Sequence, residues 1–163
     1  MGFFSFVKDA GEKLFGSSKP ADTAAAPTPE ELAATDATAA QAIKSRIEDM
    51  RLPIEDLRVE YKGSSETVTV WGTTPDQATR EKVVLCCGNV AHVASVNDLM
   101  GVVAPEPESK WYTVVKGDNL SRISKEFYGT PNKYMVIFEA NQPMLTHPDK
   151  IYPGQMLRIP PLA

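Results

Sequence analysis

The chain has 163 residues, 42% hydrophobic and 23% charged, with a formal net charge of −4. That length suits one domain or two small ones, and no apolar run is long enough to span a bilayer. Residues 111–163 carry six Lys/Arg against four Asp/Glu, a net of +2, and the eleven basic and seventeen acidic residues upstream net −6. Neither part is a basic stripe able to neutralise phosphates, which argues against nucleic acid as a partner.

Residues 1–16 form a short amphipathic segment. Phe3, Val7, Ala10 and Leu14 fall at helical spacing, Phe4 and Phe15 widen the stripe, and Lys8, Asp9, Glu12 and Lys13 face away. The spacing predicts a helix that stops near Gly16 and docks on the rest of the protein. It is not an export signal, because no basic residue precedes the apolar part and charges interrupt it from Lys8 onward. The myristoylation pattern fails at Phe6. A cytoplasmic protein with no stable membrane insertion is expected. Residues 17–37 are rich in Ala, Pro and Thr and read as a linker leading into helix near Glu30.

From 38 to 103 the pattern is α+β, in the order αββαβ. Ala39, Ile43, Ile47 and Met50 describe one helix ending before Pro53. Leu57–Tyr61 and Thr67–Trp71 alternate like the arms of a hairpin. Thr74-Pro75-Asp76 opens a second helix, which carries Ala78, Val83, Val84 and Cys87 inward and ends at Gly88-Asn89. His92–Met100 supplies a last strand. Cys86 and Cys87 are neighbours, too close to bridge without strain, so two thiols in a reducing compartment are expected. This order, with Val70-x-Gly72 closing the second strand and Gly88-Asn89-Val90, Val93, Val96 and Asp98 after the second helix, resembles the BON domain.

Residues 104–110, with Pro105 and Pro107, read as a short stiff linker. From 111 to 160 the pattern is βααβ. Tyr112–Val115 is a strand; Asp118 or Asn119 caps a helix with Leu120, Ile123 and Phe127 inward. Gly129 closes that helix and Pro131 opens another, with Tyr134, Ile137 and Phe138 inward. Pro153-Gly154 suits a type II turn, and Met156–Ile159 returns as the partner strand. These words, with Phe127-Tyr128-Gly129 and Ile137-Phe138-Glu139-Ala140-Asn141, resemble the LysM module. One departure is Asn119, where Thr is usual.

The combination of segment, BON-like and LysM-like parts resembles the two-domain BON–LysM family of small cytoplasmic potassium-binding proteins, the Kbp family. The resemblance implies K⁺ as ligand, potassium sensing and a link to osmotic stress, with no reaction catalysed; a monomer is expected. A large monovalent ion is best held by several main-chain oxygens, which helix C-terminal ends and the turns after them can offer. On that reasoning, carbonyls of Val7, Ala10 and Glu12 face those of Gly88, Val90 and Val93 around one K⁺, and occupancy orders the domains. The alternative is peptidoglycan or N-acetylglucosamine binding in a LysM groove of Gly117, Asp118, Asn119, Leu120, Met144, Leu145, Ile151 and Tyr152. A membrane-surface adaptor using Phe3, Phe4 and Phe6 is a further alternative, with little positive charge to support it. An enzyme is not expected: His92 and His147 lie in different domains, Ser64, Ser65 and Ser121 read as turn or cap residues, and Trp71 and Trp111 as packing anchors.

Overall fold

A computed structural model of the chain describes residues 2–5, 29–90 and 92–162. Helix α1 runs Pro29–Asp49. Proline at the first helical position forfeits no hydrogen bond, and the alanines that follow favour helix. Ala39, Ile43, Ile47 and Met50 are all buried, so one stripe of α1 faces the core. The helix begins beside Glu30, where the Ala/Pro/Thr-rich stretch was expected to lead into it, and so takes in residues 29–37 ahead of the boundary at 38.

Strands β2 (Glu55–Lys62) and β3 (Thr67–Asp76) pair antiparallel. Gly72 lies at φ +149°, and a Cβ there would stand 3.0 Å from the Glu55 carbonyl oxygen; the bend at this point of the hairpin requires glycine. Helix α2 (Gln77–Gly88) follows directly, and the Asp76 carboxylate accepts the Thr79 N–H at 2.7 Å. Pro75 belongs to the end of β3 and not to the helix, so Asp76 alone marks the start.

The expected strand at 92–100 is shorter, β4 (Ser95–Asp98), and a further strand that was not expected, β5 (Gly101–Ala104), follows it. Both run parallel to β3 in one continuous register, Val70 opposite Asp98 and Thr73 opposite Gly101. At the interruption the Asp98 carboxylate accepts Met100 N–H at 3.0 Å and Arg80 Nε–H at 2.6 Å, tying α2 to the sheet. The other side of β4 is taken by β1 (Gly2–Ser5), antiparallel, with Ser5 opposite Ser95. Here the helix expected over residues 1–16 is corrected for its first residues: Gly2–Ser5 are extended. A short isolated helix is marginal, whereas the β4 edge offers a ladder that a Phe-containing segment suits. The rest of that segment, including Phe6, Leu14 and Phe15, lies outside the described residues. The sheet order is β1-β4-β3-β2, with β5 also on β3. Its core joins Ile43 and Ile47 of α1, Val83, Val84 and Cys87 of α2, and Val68, Val70 and Val96 of the strands.

The C-terminal domain is βααβ: β6 (Lys110–Thr113), α3 (Leu120–Tyr128), a 3₁₀ turn over Pro131–Lys133, α4 (Tyr134–Ala140) and β7 (Met156–Ile159). Strands β6 and β7 pair antiparallel. Asn119 caps α3, its side chain accepting Arg122 N–H at 2.8 Å, and Gly129 ends it in the left-handed region. Leu120, Ile123, Ile137, Phe138, Leu145, Leu157 and Ile159 form the core. Tyr134 is exposed and not inward: the 3₁₀ turn before α4 shifts the helical phase, leaving Ile137 and Phe138 to face the core.

Candidate functional site

Three of the six residues expected around an ion, Gly88, Val90 and Val93, lie in one turn between α2 and β4. Gly88 is the last residue of α2, with Asn89 as its C-cap. The Asn89 and Val90 N–H groups reach back to the Leu85 and Cys87 carbonyls at 3.0 and 3.4 Å, and Val93 N–H reaches the Val90 carbonyl at 3.2 Å. The Val90 and Val93 side chains are wholly buried in the core, which pins the turn from inside. The chain reverses at His92, whose φ is +71°, and the Tyr61 hydroxyl donates to the His92 carbonyl at 2.8 Å. Burial, then Glu66 and Asp36, raise the pKa of that hydroxyl, so it stays a donor at neutral pH. The helix end contributes its negative dipole to the turn.

Val7, Ala10 and Glu12, the other three, lie outside the described residues. The strand before them is informative: with Ser5 opposite Ser95, β1 runs towards the α2–β4 turn. Among the described residues no cluster of three or more His, Cys, Asp or Glu could hold a metal. Cys86 and Cys87 are both buried thiols, and burial, with Cys86 and Asp98 adding to it, pushes Cys87 well above the usual thiol range. That is the reverse of a reactive cysteine.

The residues of the expected glycan groove are scattered by role. Leu120 and Leu145 are core residues and Ile151 packs against them. The Asp118 carboxylate accepts Tyr112 O–H at 2.5 Å and Val115 N–H at 3.0 Å, and the first of these bonds pushes the Tyr112 pKa up to about 12. Gly117 and Asn119 are exposed. Tyr152 N–H bonds the Gln155 side chain. Met144 packs against the core of the N-terminal domain, as does Trp111.

Met144 and Trp111 mark a seam between the domains whose polar centre the sequence reading missed. Arg158 of β7 is buried, and its Nε–H donates to Glu81 of α2 at 2.7 Å. Its other nitrogens donate to the Ser109 hydroxyl at 3.1 Å and the Ala140 carbonyl at 3.0 Å. The second Glu81 oxygen accepts Ser109 N–H at 2.9 Å and the Gln77 amide at 3.2 Å. Burial raises the Glu81 pKa, but the bonds from Ser109 and Arg158 outweigh it and hold the carboxyl below its usual range. Ser109, expected to be linker, is thus a structural hub. At the end of α2 the Asn89 side chain pairs with the main chain of Met156, donating to its carbonyl and accepting its N–H, both at 2.9 Å. The available signal was Arg158 itself, a charge inside the strand Met156–Ile159, where both faces are covered.

A β-sheet domain of this topology joined to a βααβ module defines a two-domain BON–LysM protein. The family models agree: the BON domain matches residues 35–104 and the LysM domain residues 112–160. The chain is 42% identical over 164 residues to the potassium binding protein Kbp of Escherichia coli O6:H1, covering 98% of this chain and 99% of that one. It belongs to the Kbp family. An uncharacterised protein of Deinococcus radiodurans is 47% identical over 49 residues, 30% of this chain and 19% of its own length.

Proposed function

We propose that this chain is a cytoplasmic, non-enzymatic potassium-ion-binding protein that responds to potassium level. One K⁺ is held by main-chain carbonyls of Val7, Ala10 and Glu12 together with those of Gly88, Val90 and Val93. The name of the E. coli relative supplies the ion. The observation that carries the site is the α2–β4 turn: a helix C-terminus curled by buried valines and a left-handed His92, with β1 running towards it. Such a turn presents oxygen dipoles without a full charge, which suits a large monovalent ion. The buried thiols Cys86 and Cys87 fit a reducing compartment.

Binding to one arrangement stabilises it by RT ln(1 + [K⁺]/Kd), about 2.7 kcal/mol at a hundredfold excess over Kd. Calorimetric titration of the full chain with KCl, against NaCl at equal ionic strength, tests the reading. Saturable heat is expected with KCl, and deletion of residues 6–16, which leaves β1 in place, is expected to abolish it. Unchanged affinity after that deletion would remove Val7, Ala10 and Glu12 from the site.

The glycan reading has less support, since Leu120 and Leu145 are core and Met144 is engaged by the other domain. Among the described residues no helix is long and apolar enough to cross a membrane.

A further inference from the structure

Asn89 sits between two of the candidate donors, Gly88 and Val90, and its side chain leaves the BON domain altogether. Its amide donates to the Met156 carbonyl and accepts the Met156 N–H, both at 2.9 Å. Met156 and Arg158 are the β7 residues whose main-chain groups point away from β6. Arg158 is served in the same way from within LysM: the Asn141 amide donates to its carbonyl and accepts its N–H, both at 2.9 Å. The outer edge of β7 is therefore completed by two asparagines, one from each domain. An open edge is otherwise a row of unmet donors and acceptors.

The Glu81–Arg158 and Asn89–Met156 contacts differ in what can disturb them. Glu81 lies near the middle of α2, and the helix fixes its backbone whatever the turn does. Asn89 is the first residue beyond the helix, so a change in the turn's backbone moves its amide. Hydrogen bonds weaken steeply with distance and angle, and a displacement of about 1 Å is enough to break both.

We infer that Asn89 is the positioning residue through which the ion state of the α2–β4 turn is passed to β7 of LysM. The inference rests on the potassium reading above. Coupling of this kind is reciprocal: the turn that accepts K⁺ is the turn that presents its amide to Met156, so LysM docking tightens ion binding and the ion tightens docking. Asn141, the matching edge residue, holds β7 without touching the turn.

The test uses the full chain and three proteins: wild type, Asn89→Ala and Asn141→Ala. Asn89 is only partly buried, so its truncation opens no core cavity. Amide resonances of Gly88, Val93, Met156 and Arg158 are followed during KCl titration, with NaCl as reference. In the wild type, turn and Met156 resonances move together with one midpoint. In Asn89→Ala the turn still titrates, about 5- to 30-fold more weakly, and Met156 no longer follows. Asn141→Ala speeds amide exchange at Arg158 but leaves the potassium midpoint within about twofold, the readout that a merely structural edge cap would not separate. A Met156 response to K⁺ that survives in Asn89→Ala overturns the inference, as does an equal loss of affinity in both variants. A wild-type turn that responds while Met156 does not overturns the inference alone. A wild-type turn that ignores K⁺ overturns the potassium reading and the inference with it.

Discussion

The BON and LysM domains solve the same problem, closing the edges of a sheet, by different means. BON uses its own chain: β1 covers β4, β5 continues along β3, and two helices back the sheet. LysM pairs β6 with β7 alone among the described residues, so half of the outer β7 edge comes from Asn89, the C-cap of α2, and the counter-charge of Arg158 from Glu81 within α2. A domain of about fifty residues is short of core, and borrowing contacts is one remedy. The lesson is that the linker does not merely tether LysM; the seam is part of its fold.

The largest effect is expected at Glu81. Removing one partner leaves a buried charge unmet, so Glu81→Ala should cost about 3–5 kcal/mol in chemical denaturation. Hydrogen exchange should rise first in β6 and β7, leaving the β2–β3 hairpin protected. Replacing both Glu81 and Arg158 by leucine should recover most of the loss; a double variant as weak as the single one would mean the pair is not the source. Next, Asn141→Ala strips the Arg158 main chain of its side-chain partners and takes the side-chain donor from the Ile137 carbonyl, which keeps the backbone N–H of residue 141, an expected cost of about 2 kcal/mol by thermal melting.

Acid gives a milder probe of the same seam. The Glu81 pKa is lowered on folding from a reference of 4.5, so the unfolded chain binds more protons in the acid range. The stabilisation is then complete above about pH 4.5 and is lost as pH falls through the folded value. Wild-type stability should drop more steeply below pH 4.5 than that of Glu81→Gln. The smallest effect is expected on the BON side. Tyr61→Phe removes the hydroxyl that holds the His92 carbonyl, about 1 kcal/mol, and should speed amide exchange in the α2–β4 turn without touching LysM.

Much of the architecture was legible in the sequence. The α1 stripe Ile43–Ile47–Met50, the hairpin around Gly63–Glu66 and the Asn119, Gly129 and Pro153-Gly154 signals are local, and local rules read them. Gly2–Ser5 was misread because helical spacing and a β ladder compete over four residues, and only the β4 edge decides. Tyr134 was misplaced because a 3₁₀ turn alters the period. The seam was hidden for a different reason: Glu81 meets Arg158 and Asn89 meets Met156 across two domains, and nothing in the neighbourhood of either residue reveals its partner. Asn89 read as a helix stop, which it is, but its side chain had a second use.

A potassium site at the α2–β4 turn would engage carbonyl oxygens, so the direct measurement is of carbonyls: ¹³C shifts of Gly88, Val90 and Val93 in the full chain, titrated with KCl and with NaCl. Saturable movement of all three with KCl, at one midpoint and far weaker with NaCl, is the expected result. Carbonyls that stay still, or that move alike in both salts, would contradict a potassium site at this turn.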